Sequence, residues 1–186
     1  MIEITEEQID RVNLLLNGIK GANIKAFYNA INRGLTTARS QSGKLMREVY
    51  HIKQSDITSN QNIKEKKAST GNLVGSLEFA GTMIPLKQFK VTPSSPKQGT
   101  VSVAVLKSES ATRLTHAYVA DLGNYGVGVF ERATRERESS MQLYGPSTAH
   151  MMEHSDVMDK VEKLAQETVD KRVEQEISRF LNGYGV

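Results

Sequence analysis

Apolar residues recur every three or four positions in two long stretches of this chain, and alternate with polar ones in its middle. Between Asn23 and Tyr50, the residues Ile24, Phe27, Ile31, Leu35, Ala38, Leu45, Met46 and Val49 keep helical spacing, which predicts one long helix. Gly34 and Gly43 interrupt it at a cost of about 1 kcal/mol each relative to alanine, so tight packing or a local kink is expected there. Val157, Val161, Leu164, Val169, Val173, Ile177 and Leu181 predict a second long helix, from Ser155 to Asn182, closed by Gly183. On its surface Asp156–Lys160, Asp159–Lys163 and Glu167–Lys171 set an acid four residues before a base, the favourable order. A shorter helix opens the chain. Thr5 is its expected cap, Glu6 and Glu7 lie in its first turn, Ile9, Val12 and Leu16 form its apolar side, and Gly18 and Gly21 end it. Residues 1–20 thus read as a helical extension.

The middle changes period. "TVSVAVL" puts Val101, Val103 and Val105 on one face and Thr100, Ser102 and Ala104 on the other, the mark of a half-buried strand. "NLVGSLEFAG" and "KQFKV" read as further strands, and "TPSSPKQG" as a turn or loop. "HAYVADLGNYGVGVF" reads as two strands joined near Gly123-Asn124, or as one strand and a glycine-rich loop. "ERATRERESS", Glu131 to Ser140, has no apolar period and reads as an exposed charged arm. The expected fold is α+β, with long N-terminal and C-terminal helices packed on a central antiparallel or mixed β-sheet, in a single domain of residues 1–186.

Composition narrows the function classes. With 38% apolar and 24% charged residues the chain belongs with soluble globular proteins. It contains no cysteine, which excludes disulfides, thiolate catalysis and cysteine-zinc sites. The acidic start "MIEITEEQID" lacks the apolar core of a signal peptide, and no apolar run reaches the roughly 18 residues that span a bilayer. A protein made and used in soluble form, with no membrane partner, is the expectation. The net charge of +3 is too small to imply a nucleic-acid partner by itself.

Three constellations carry potential chemistry. His150, Glu153 and His154 form a His-x-x-Glu-His pattern, which on one helix would put two imidazoles on a shared face for zinc and a carboxylate beside them to activate water. A third protein ligand is missing, because Glu162 and Glu167 sit on the same predicted helix. Ser147, in Gly145-Pro146-Ser147, lacks the flanking glycine spacing of a nucleophile elbow and reads instead as an N-cap. Gly123, Gly126 and Gly128 do not match a phosphate-binding spacing and fit a hairpin or bulge. Among the basic residues, Arg33, Arg39 and Arg47 on the first long helix are candidates for a DNA-facing or subunit-facing surface. Aromatics at 6% leave base stacking little to work with.

Four stretches in order, "AINRGLTTARSQ", "IPLKQFKV", "GVFERAT" and "LYGPSTAHMM", followed by a long charged helix, resemble the minor tail protein Z family of tailed bacteriophages and prophages. The likeness covers about Ala22 to Leu181, and "IPLKQF" and "LYGPS" are its most specific parts. Members are tail-completion proteins that act at the head-proximal end of an assembled tail and help it join the DNA-filled head. The resemblance implies a structural virion protein of the neck, assembled in the host cytoplasm, with no enzymatic activity and no cofactor. It implies as partners further copies of the chain in a ring of about six, a tail tube or tail terminator protein, and a head-closure or connector protein. Non-specific contact with phage DNA goes with that position. The nearest alternative is another neck protein, a tail terminator or head-closure protein; a DNA-binding protein and a zinc metallopeptidase are rivals from other classes. In this reading Glu131, Arg132, Arg135, Glu136, Arg137 and Glu138 pair with a neighbouring subunit. Tyr144, Gly145, Pro146 and Ser147 form the turn that sets the last helix against the sheet.

Overall fold

The computed structural model describes residues 4–57, 63–97, 99–123, 126–134 and 139–183. Asn124 and four residues of the charged arm, Arg135, Glu136, Arg137 and Glu138, lie outside them. The fold is mixed α and β, and the chain forms two compact units. One takes residues 1–42, 63–78 and 158–186; the other takes 43–62 and 79–157.

The first unit is built on helices. α1 (Glu6–Leu15) starts with a reciprocal cap: Thr5 Oγ1 accepts from the Gln8 backbone N–H at 3.3 Å, and Gln8 Oε1 accepts from the Thr5 N–H at 3.2 Å. α2 (Ala22–Val49) and α5 (Ser155–Leu181) are the two long helices, within a residue of their sequence-predicted limits. Gly183, at φ 78°, donates its N–H to the Phe180 carbonyl and closes α5.

The buried face of α2 keeps Phe27, Leu35, Leu45 and Met46 of the predicted stripe and adds a row of small residues. Ala22, Ala26, Ala30, Gly34, Ala38 and Ser42 are buried, whereas Ile24 is exposed and Ile31 only half-buried. Facing them from α5 are Ala165, Val169, Val173 and Ile177. Both sets step by four residues, a turn of about 40° per step, so the buried stripe migrates around each helix. At one end α1 closes the core with Val12 and Leu16 against Phe27, Val173 and Phe180. The segment from β1 (Ile63–Lys66) to the start of β2 (Ser76–Phe79) packs on α2 farther along. There Asn32 holds both backbone groups of Ala68, at 2.9 and 3.0 Å, and Gly75 lies against Leu35 and Ile31.

The three predicted acid-before-base pairs on α5 are not closed as ion pairs. Its charges converge instead on Glu176, which is 1% exposed. Arg172 reaches it at 2.6 Å, Arg179 at 3.3 Å, and Asn29 of α2 donates to it at 3.2 Å. A buried carboxylate is tolerable only with such partners.

The second unit holds the remaining strands. β3 (Ile84–Pro85), a 3-10 turn (Leu86–Gln88), β4 (Lys90–Thr92), β5 (Val101–Ala104) and β6 (Thr112–Leu114) come first. β7 (Ala117–Asp121), β8 (Val127–Arg132), β9 (Ser140–Gln142) and β10 (Tyr144–Gly145) follow. Where one central sheet was expected, the named strands of the chain make four small ones: β1-β2, β3-β10, β4-β5-β6 and β7-β8-β9. The β3-β10, β4-β5-β6 and β7-β8-β9 pairings are antiparallel. "KQFKV" is not a continuous strand, because Lys87 and Gln88 belong to the 3-10 turn. In "NLVGSLEFAG" only Ser76–Phe79 forms a strand, leaving Leu73 and Val74 exposed. Of the two readings of "HAYVADLGNYGVGVF" the hairpin is present, with Gly123 and Gly126 at φ 60° and 62°. Short helices α3 (Gln54–Ile57) and α4 (Thr148–Met152) complete the unit. No helix among the described residues is long and apolar enough to cross a membrane.

Candidate functional site

A concavity of about 690 Å³ lies in the first unit, between α2 and α5. Its walls are one face of each helix. On α2 the lining runs from Asn29 to Gln41, and on α5 from Leu164 to Gln175, at steps of three and four residues throughout. At 1.5 Å per residue each wall is about 16–18 Å long. All but Leu164 are polar, and none is aromatic.

The lining divides by what each side chain already binds. Asn32 is committed to the Ala68 backbone, Asn29 to Glu176, and Thr36 and Thr168 to carbonyls one turn back in their own helices. Arg172 is held by Glu176. Arg33, Thr37 and Gln41 on α2, with Glu167 and Lys171 on α5, make no side-chain hydrogen bond or ion pair among the described residues. The groove therefore offers two cations, one carboxylate, an amide and a hydroxyl, all unclaimed. Sequence inspection singled out Arg33 but missed the groove. Its signal was the run of amides and hydroxyls at helical spacing on both helices, where a plain solvated face would carry stronger helix formers such as lysine, glutamate and alanine.

The other two arginines proposed with Arg33 are engaged: Arg39 pairs with Glu65 at 3.0 Å, and Arg47 donates to Gln54 Oε1 at 2.7 Å. The described ends of the charged arm lie in the β8-β9 pair. Glu131 and Arg132 end β8, Ser140 begins β9, and Thr134 and Ser139 bond to each other. The segment read as a loop because its strand ends carry charged side chains in place of an apolar alternation.

In the second unit, the pieces "IPLKQF" and "LYGPS" meet. Tyr144 pairs with Pro85 and Gly145 with Ile84, so these two residues are a strand and not the expected turn. The Leu86 N–H donates to the Leu143 carbonyl at 2.9 Å. The Phe89 ring lies over Gly145 so closely that a Cβ there would stand 2.6 Å from Cε2. Pro146 carries the chain out of the strand to Ser147, which caps α4 through the His150 N–H at 3.2 Å. Met83, Met141 and Tyr144, on or next to these strands, are exposed.

The His-x-x-Glu-His residues do not share one helix face. α4 ends at Met152, α5 starts at Ser155, and Glu153 and His154 lie in the break. His150 and Glu153 are exposed, 3.7 Å apart, whereas His154 turns edge-on to Tyr50, ring centroids 5.9 Å apart. Among the described residues no three His, Asp or Glu groups stand together to hold a metal ion. Near the end of α2, His51 lies beside Lys90 and Lys107; burial first, then these two charges, push its pKa below 6.5. Lys107 Nζ also donates to the Arg47 carbonyl. Set against protein-family models, curated proteins and solved structures, the chain matches none.

Proposed function

We propose that this chain is a structural phage virion protein that completes the tail at its head-proximal end and enables head-tail joining. The reading rests on the sequence likeness to the minor tail protein Z family. The observation that carries it is the clasp between β3 and β10. The two stretches most specific to that likeness lie far apart in sequence, yet they pair as strands and share the Phe89–Gly145 contact. Side chains with one structural task are what a shared pattern in two distant stretches calls for.

In this reading the protein is not an enzyme and uses no cofactor. It forms a ring of about six copies by head-to-tail contacts, since a ring needs two different surfaces per subunit. The charged arm, Glu131 to Ser140, pairs with a neighbouring subunit. The tail tube or tail terminator protein meets one side of the ring and the head-closure or connector protein the other. Assembly takes place in the host cytoplasm. Of the three arginines named on α2, Arg33 is the one left for DNA contact, because Arg39 and Arg47 already have partners.

Electron microscopy of particles from a phage or prophage lacking this gene tests the reading. Full heads beside separate tails of normal length are expected. Tails of uncontrolled length would move the protein to the terminator position. Normal, infectious particles would end the structural assignment.

A further inference from the structure

We propose that the groove between α2 and α5 is a docking seat for an extended, acidic segment of a partner polypeptide. The inference goes beyond the neck-protein reading and does not depend on it, because it follows from the unclaimed groups in the groove.

Length comes first. Walls of about 16–18 Å match about five residues of extended chain at 3.3 Å each. Chemistry then selects polypeptide over a phosphate-bearing strand. Glu167 and the side-chain oxygens of Gln41 and Thr37 accept hydrogen bonds. A phosphodiester backbone offers acceptors only, so it would leave those oxygens unmatched. A peptide backbone supplies both N–H and C=O along its length. A strand of bases would also find nothing to stack on, since no aromatic residue lines the groove.

Charge then selects acidic side chains. Arg33 and Lys171 are cations without partners on opposite walls, against the single free carboxylate of Glu167. In an extended segment alternate side chains point the same way, so carboxylates two residues apart can face the groove together. The floor beneath is already fixed. Arg172 and Asn29 are held on buried Glu176, and Asn32 on Ala68, so recognition falls to the unclaimed groups alone.

The test uses the full chain and two fluorescein-labelled peptide pools of about six residues, capped at both ends, with alternate positions fixed as aspartate or as lysine. Mixed-sequence single-stranded DNA is the third probe, and fluorescence anisotropy the readout. Saturable binding of the aspartate pool is expected. It should weaken by about tenfold or more in Arg33→Glu/Lys171→Glu, as expected for the loss of two charge-assisted contacts. Both residues lack partners, so the variant should keep the parent's circular dichroism and melting temperature. Lys160→Glu, an exposed reversal on α5 outside the groove, should leave binding unchanged. Absence of saturable aspartate-pool binding overturns the proposal. So does equal binding of the lysine pool, equal loss in Lys160→Glu, or tighter Arg33-dependent binding of DNA.

Discussion

Gly34→Ala is the substitution that most directly tests how α2 and α5 are held. A methyl group at Gly34 would lie 2.5 Å from Val169 Cγ2 and 3.5 Å from the Ala165 carbonyl oxygen. Val169 cannot swing aside, because a β-branched side chain in a helix is held in one χ1 rotamer about 90% of the time. The helices must part or Val169 must strain, and overpacking of this kind costs about 1–3 kcal/mol. Against this, alanine is better than glycine inside a helix by about 1 kcal/mol. The net expectation is a loss of about 1 kcal/mol, rising to 2 if the backbones cannot separate. The chain has no tryptophan, so urea unfolding followed by circular dichroism at 222 nm is the suitable assay. The comparison requires an unchanged m-value. The discriminating step is the same substitution in a Val169→Ala background. With the colliding methyl removed only the propensity remains, and Gly34→Ala should then stabilise by up to about 1 kcal/mol. If Gly34→Ala alone stabilises by that full amount, the close approach of the helices is refuted.

Further outcomes follow from the same geometry. Arg172→Ala should cost more stability than Glu176→Gln, about 2–4 against about 1–2 kcal/mol, because the first leaves a buried carboxylate short of a partner while the second frees two half-exposed arginines that reach water; equal losses in urea unfolding would contradict this. Gly145→Ala should destabilise by about 1–3 kcal/mol through its collision with Phe89, and Phe89→Leu should reduce that cost when the two are combined; thermal unfolding of the four variants decides it. His51 has a folded-state pKa below its unfolded value of 6.5, so the unfolded chain binds more protons between the two values. Stability contributed by His51 is therefore present above about 6.5 and falls as pH drops through that window, and His51→Gln should remove the slope; an unaltered pH profile in that variant would reject the assignment.

The long helices were legible because periodicity over many turns is a strong signal, and cap residues marked ends as well, Thr5 at the start of the shorter α1 and Gly183 at the close of α5. Most of the face they bury was legible too. Phe27, Leu35, Leu45 and Met46 on α2 and Val157, Val161, Val169, Val173 and Ile177 on α5 are buried as read, whereas Ile24, Ile31 and Leu181 stay exposed or half-exposed and the small residues Ala26, Ala30, Gly34 and Ala165, which complete the contact, were passed over. Hydrophobicity weighs a residue by its side chain, whereas close helix packing selects residues that let the backbones approach. Gly34 stood in view as a cost in propensity, and its collision distance to Val169 shows what that cost purchases. The strands were less legible for a different reason. Most are two to five residues long, too short to establish a period of two, and Tyr144–Gly145 has only two residues in which to show one.

The same contrast explains why the groove escaped notice. Its residues sit at helical spacing, but a polar stripe carries the meaning "solvent" in any scheme that scores burial. What separates this stripe from a solvated face is how its members are spent. Asn29, Asn32, Thr36, Thr168 and Arg172 are tied down by named partners, and only Arg33, Thr37, Gln41, Glu167 and Lys171 stay free. That division depends on Glu176, a residue fixed by three contacts that the sequence does not announce. Removing Glu176 would release Arg172 toward the groove and add a third free cation. Glu176→Gln should therefore tighten binding of the aspartate peptide pool even as it weakens the fold. A variant that loses stability and gains affinity is hard to explain by general damage, and a parallel loss of both would argue that the groove is only a solvated helix face.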